Sequence, residues 1–184
     1  MSANLKKNSL FCFGLGFAAQ ALAKRMRSNE WNISGTCRAK DRESSLKELS
    51  VFSFDGTHAT EEIRNALTKA THLLISIPPQ PSGDVVLKFF SSQIVECKNL
   101  QWIGYISSTG VYGDTQGEWV DESSPLQPET ELNLRRVEAE KSWLKMTPVM
   151  IFRCAAIYGP SRNLLVSVKQ ERARRIEKKG LVFS

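Results

Sequence analysis

Ser107-Ser108-Thr109-Gly110-Val111-Tyr112-Gly113 gathers three hydroxyl side chains directly behind the apolar run Gln101–Ile106, with a phenol close after them. Hydroxyls clustered at the end of a buried strand sit at the mouth of a cleft, where they can hydrogen-bond a substrate carbonyl. A serine hydrolase would place G-x-S-x-G here, and this segment lacks that spacing. The chain holds two histidines, His58 and His72, and His72 opens an apolar run. A Ser–His–Asp triad is therefore not expected, and no residues have metal-ligand spacing.

A second cluster is Gly14-Leu15-Gly16-Phe17-Ala18-Ala19, entered from Ser9–Phe13 and followed by Gln20–Arg27. Strand, glycine-rich turn and helix in that order match G-x-G-x-x-G/A, the pattern that cradles a dinucleotide pyrophosphate. Gly14 permits the tight turn, Gly16 lets backbone approach the phosphates with Phe17 beside it, and Ala19 allows close helix–strand packing. The phosphates are expected on the unpaired N–H groups at the positive end of the helix. Arg38 ends the second strand roughly 20 residues further on, where an NAD site carries Asp or Glu for the ribose 2′-hydroxyl. Arg38, with Lys40 nearby, suits a 2′-phosphate instead. NADP is thus favoured, and Asp41 and Glu43 leave NAD open. Asp55, after the third strand, offers either an acceptor for the adenine amino group or an ordinary turn aspartate. Ser76, ahead of Ile77-Pro78-Pro79, lies where backbone could pass the cofactor's ribose, or simply enters a proline turn.

Lys6-Lys7, Leu10–Ala23 and the triplet Ala21-Leu22-Ala23 imitate a secretory signal peptide. Removing them would delete the first strand and helix of a pattern that continues in register, so a cytoplasmic protein is expected. Four scattered cysteines without C-x-x-C agree with a reducing compartment. No apolar stretch reaches the roughly 18 residues of a membrane span. The net charge of +6 is concentrated in Lys169–Lys179. That segment lacks interleaved aromatics and any recognition motif, so it reads as a solvated basic helix face rather than a nucleic-acid contact.

The elements that must position these residues alternate. Strands are predicted at Ser9–Phe13, Trp31–Arg38, Val51–Phe54, His72–Ile77, Gln101–Ile106 and Val149–Arg153. Helices are predicted after Gly16 and at Arg42–Leu49, Thr60–Lys69, Asp84–Glu96 and Glu131–Met146. Pro78-Pro79 must stop the fourth strand, since proline cannot continue a ladder. Strict alternation predicts an α/β fold: a Rossmann-type, doubly wound parallel sheet in three α/β/α layers. Chemistry in such folds gathers at the carboxyl ends of the strands.

With these residues in view, the chain resembles the extended branch of the short-chain dehydrogenase/reductases, the NAD(P)-dependent epimerase/dehydratase group. The Gly14 turn, Asp55, the Ser107–Gly113 segment (compare S-S-x-x-V-Y-G) and Arg153-Cys154-Ala155-Ala156-Ile157-Tyr158-Gly159-Pro160 (compare R-x-x-x-V-Y-G-P) carry the resemblance in the right order. It implies Ser108 at the catalytic Ser/Thr position and Ser107 beside the nicotinamide. It also implies a small hydroxylated substrate, with a nucleotide sugar as the model case.

Two departures stand out. Counting back from Glu140, the group's Y-x-x-x-K pair falls on Leu132 and Arg136. Leucine cannot transfer a proton, and an arginine can bind ribose hydroxyls but is a poor proton relay. Tyr112 could substitute as the acid, or simply pack at the cleft rim. The chain also stops at Leu181-Val182-Phe183-Ser184, where relatives continue into a substrate lobe. Residues 1–160 are thus expected to form the dinucleotide-binding domain and 161–184 the start of an incomplete lobe. Apolar surface left open there makes self-association an expectation. Two functions remain: an NAD(P)-dependent oxidoreductase or epimerase, and a non-catalytic dinucleotide sensor or scaffold.

Overall fold

The computed structural model describes residues 8–26, 31–38 and 49–173. In chain order the elements are β1 Ser9–Phe13, α1 Phe17–Met26, β2 Asn32–Cys37, β3 Ser50–Ser53, α2 Glu61–Leu67, β4 His72–Ile75 and α3 Val85–Glu96. They continue with β5 Trp102–Ser108, a 3-10 turn Thr109–Tyr112, α4 Glu131–Met146, β6 Met150–Cys154 and α5 Leu164–Lys169. The strands form one sheet in the order β3-β2-β1-β4-β5-β6, and every pairing is parallel.

Side-chain alternation along the strands splits the core in two. Phe11, Phe13, Leu73, Ile75, Ile103 and Tyr105 face α2, α3 and α4 through Ile63, Leu67, Phe90, Ile94 and Trp143. Leu10, Cys12, Ile33 and Leu74 face α1 through Ala19 and Ala23. Trp143 and Phe11 are fully buried, each burial being worth roughly 2 kcal/mol or more. The result is the predicted three-layer α/β/α sheet.

Caps set where the helices begin. Thr60 starts α2, Asp84 starts α3 and Thr130 starts α4, each side chain accepting a backbone N–H of the first turn. The predicted helix Arg42–Leu49 falls outside the described residues save for Leu49, which is a bend. The predicted basic helix face fares differently: α5 ends at Lys169, and residues 170–173 form a turn and its exit. Residues 174–179 lie outside the described residues. α5 itself buries no side chain. No helix among the described residues is long and apolar enough to cross a membrane.

Candidate functional site

Four strand ends converge on one cavity of about 270 Å³, lined by Gly14, Gly16, Arg38, Asp55 and Ser76 among others. It opens between β1 and β4, where the strand order reverses, the place an open α/β sheet offers a ligand.

The turn after β1 is pinned from β2. Gly14 N donates to the Thr36 hydroxyl at 3.0 Å, and Leu15 N donates to the Thr36 carbonyl at 2.7 Å. Gly14 sits at φ +93°, and a Cβ there would lie 2.9 Å from the Ile77 side chain. Gly16 is the opposite case, since a Cβ there would meet nothing within 4 Å. Its carbonyl accepts the first bond of α1 from Gln20 N, which makes Gly16 the N-cap residue. Among the described residues no side chain accepts from the amides that open α1, unlike α2, α3 and α4. Backbone donors, the helix dipole and open space therefore meet at one point, which fits an anionic diphosphate.

Ala19 is fully buried against the sheet. Phe17 contributes backbone at the turn, but its ring turns towards the segment that follows β6, against Gly159 and 5.4 Å from the Arg162 guanidinium. Arg38 is exposed at the cavity edge. Asp55 accepts from Thr57 N at 2.9 Å and Thr57 Oγ1 at 2.6 Å. Those bonds hold its carboxyl below the usual carboxylate range. Lys40, Asp41 and Glu43 lie outside the described residues.

Ser107, Ser108, Tyr112 and Arg136 do not line that cavity. They sit around the end of β5, and each engages the protein itself. Ser107 is buried, and its hydroxyl donates to Glu140. Glu140, 1% exposed, pairs with Arg153 at 3.0 Å. Arg153 in turn donates to the Tyr112 hydroxyl at 3.0 Å and lies 5.1 Å from its ring centroid. Partial burial works against the Arg153 charge, but its bonds to Glu140 and Tyr112 outweigh that and raise its pKa. Ser108 Oγ accepts from Gly110 N at 3.2 Å and caps the 3-10 turn. Arg136 donates to the Ile106 carbonyl at 3.4 Å. Leu132, at the position where the resemblance expects tyrosine, is 51% exposed.

Sequence reasoning missed the partners. Thr36 carries no motif, the pairing of Glu140 with Arg153 arises only when α4 packs beside the ends of β5 and β6, and Gln80 in the cavity wall has no local signal. Burial pushes the Cys12 thiol up to about 12, so this cysteine is an inert core residue. No group of three or more metal-ligating side chains occurs among the described residues.

No protein-family model matches the chain. Among curated proteins it is 28% identical to YeeZ of Escherichia coli K12 over 165 residues, covering 82% of this chain and 59% of that protein. A conserved protein of unknown function from Silicibacter pomeroyi superposes with a TM-score of 0.84 at 36% identity, over 96% of this chain and 62% of that one. A protein described as an NAD-dependent epimerase/dehydratase from Methylobacillus flagellatus gives 0.71 at 25%, over 89% and 59%. In fold and in the order of its motifs the chain is similar to the NAD-dependent epimerase/dehydratases. It spans about three fifths of the length of these relatives. More distant structures, at 14–16% identity and TM-scores of 0.58–0.66, were solved with NAD, Bacillus cereus UDP-glucuronic acid 4-epimerase among them. They share the fold.

Proposed function

We propose that this chain is the dinucleotide-binding unit of an NADP-preferring oxidoreductase or epimerase acting on a small hydroxylated substrate, with nucleotide sugars the leading class. The observation that carries the reading is the cavity at the β1–β4 reversal, which the open end of α1 shares with Arg38 and Asp55. The solved relatives described as NAD-dependent or bound to NAD support a nicotinamide dinucleotide there. Such a cofactor, when bound, supplies hydride transfer. In this reading Gly14, Gly16, Phe17 and Ala19 form the pyrophosphate cradle and Arg38 meets the 2′-phosphate. Asp55 and Ser76 face the adenosine half. Ser108 polarises the substrate carbonyl, Arg136 holds the nicotinamide ribose, and Ser107 supports that end through Glu140.

A second reading is a dinucleotide sensor without turnover. It is favoured by the exposed Leu132 where an acid would stand, and by the Tyr112 hydroxyl already accepting from Arg153.

Calorimetry with NADPH and NADH tests the binding, and nicotinamide absorbance with a panel of carbonyl substrates tests the chemistry. NADPH should bind more tightly, and Arg38→Ala should remove about tenfold of that preference, the effect of one lost charge-assisted contact. Turnover abolished by Ser108→Ala supports the enzyme, and binding without turnover supports the sensor. No heat with either nucleotide overturns both.

A further inference from the structure

The cavity holds one polar side chain that the reading above does not use. Gln80 stands on a tight hairpin closed by Gln80 N to Gly83 O at 3.0 Å and Gly83 N to Gln80 O at 2.9 Å. Pro79, buried, and Pro81 flank it, and proline's fixed φ removes backbone freedom there. The side-chain amide lies over Gly56, with Nε2 2.9 Å from where a Gly56 Cβ would stand. Gly56, at φ +88°, follows Asp55 directly. Among the described residues the Gln80 amide makes no hydrogen bond, although it lines the cavity alongside the apolar walls of Phe54, Ile77 and Val85. An amide in an apolar recess gains from any partner that satisfies both its donor and its acceptor.

We propose that Gln80 reads the base of the dinucleotide, selecting adenine over a 6-oxo purine. The inference rests on the dinucleotide reading and deepens it. Adenine presents an amino donor beside a ring-nitrogen acceptor, the bidentate complement of a primary amide. The edge in question is the one that carries N7: there hypoxanthine replaces the amino group by a carbonyl, so O6 and N7 are both acceptors and one half of the amide goes unpaired. Asp55 cannot make this distinction with both of its oxygens, because Oδ1 is already held by Thr57. The apolar walls grip either ring alike.

The test is calorimetric affinity for whichever of NADPH or NADH binds more tightly, set against its hypoxanthine counterpart. It is run on the wild-type chain and on Gln80→Met, which keeps the length and loses the polarity. Gln80→Leu repeats the measurement with a different apolar shape. The wild type should favour the adenine form by about tenfold, the effect of one good bidentate pair, and both variants should bring the two affinities within about twofold. Equal wild-type affinities, or a ratio unchanged in the variants, overturn the base-reading role while leaving the dinucleotide site standing. If the wild type binds neither nucleotide, the dinucleotide reading fails and this inference falls with it.

Discussion

The β1–β4 mouth and the β5–β6 mouth of the same sheet are built on opposite terms. At the first, the groups facing the cavity are left open: the amides of α1 have no side-chain cap, Gly16 looks onto empty space and the Gln80 amide is unpaired among the described residues. At the second, Ser107, Ser108, Tyr112 and Arg136 each bond to another part of the chain. Open donors are what a bound anion or base needs, because the protein gives up no internal bond to make the new one. Side chains already engaged hold the strand ends in place. The difference teaches that binding geometry survives in backbone, where few substitutions can erase it. Chemistry depends on a handful of side chains, which a substitution can remove or the fold can enlist for structure.

The largest effect should come from the engaged half. Arg153→Met would leave the Glu140 carboxylate, 1% exposed, without its counter-charge. Removing one member of a buried pair costs about 3–5 kcal/mol, read as a fall in the urea midpoint. The double variant Glu140→Leu/Arg153→Met should recover most of that loss, since the uncompensated charge is then gone. A single-variant loss below about 1 kcal/mol would mean that water reaches the pair, and the contrast between the two mouths would weaken. Dinucleotide affinity, measured on the folded variant, should not follow the stability.

How much of this was legible in the sequence divides along the same line. The sheet and its order of elements follow from periodicity and punctuation, as with Phe11 and Phe13 against Leu10 and Cys12 in β1, and Pro78-Pro79 after β4. The β1–β4 mouth was legible because the residues that line it are marked locally: Gly14 and Gly16 by the turn they make, and Arg38 and Asp55 by their place after a strand. Glu140 and Arg153 were visible as motif residues but not as a pair, because their contact needs α4 and β6 brought together in the fold. Gln80 was illegible, since its meaning arises only when the hairpin after β4 folds over Gly56. α5 escaped too: Leu164 and Leu165 are 72% and 74% exposed, and helical periodicity signals only faces that are buried.

The two glycines of the β1 turn sharpen the comparison within one mouth. Gly14→Ala forces a side chain into φ +93° and against Ile77, which should cost about 1–3 kcal/mol in stability. Gly16→Asp should act in the other direction. The new carboxylate would cap α1 and meet its positive end, adding a few tenths to about 1 kcal/mol. The same carboxylate would occupy and repel the place of the diphosphate, so NADPH affinity should fall by about a hundredfold, equivalent to losing roughly 3 kcal/mol. A Gly16→Asp protein that is stabilised yet binds normally would show that the amides of α1 hold no phosphate. A stability gain with lost binding is the trade-off expected where an uncapped helix end is kept open for a ligand.

The smallest effect lies at the amino ends of the strands, opposite both mouths, and separates stability from them. His72 opens β4, with its ring 4.6 Å from that of Trp31 and 6.2 Å from that of Trp102 and its Nδ1 2.9 Å from the Thr71 hydroxyl. Burial holds its pKa below the ordinary 6.5. The unfolded chain therefore takes up the proton first as pH falls, and in that interval it binds more protons than the folded chain. Stability contributed by the neutral ring is fully present above 6.5 and is lost as pH drops through the lower folded value. Urea midpoints between about pH 8 and about pH 5 should decline for the wild type, and less steeply for His72→Phe, which keeps the aromatic contacts and cannot titrate. Because the strand end that lines the cavity lies at the far end of β4, His72→Phe should leave dinucleotide affinity unchanged across that range. An affinity that shifted with His72 would mean that the two ends of β4 are coupled, and the independence of binding from the rest of the sheet would fail.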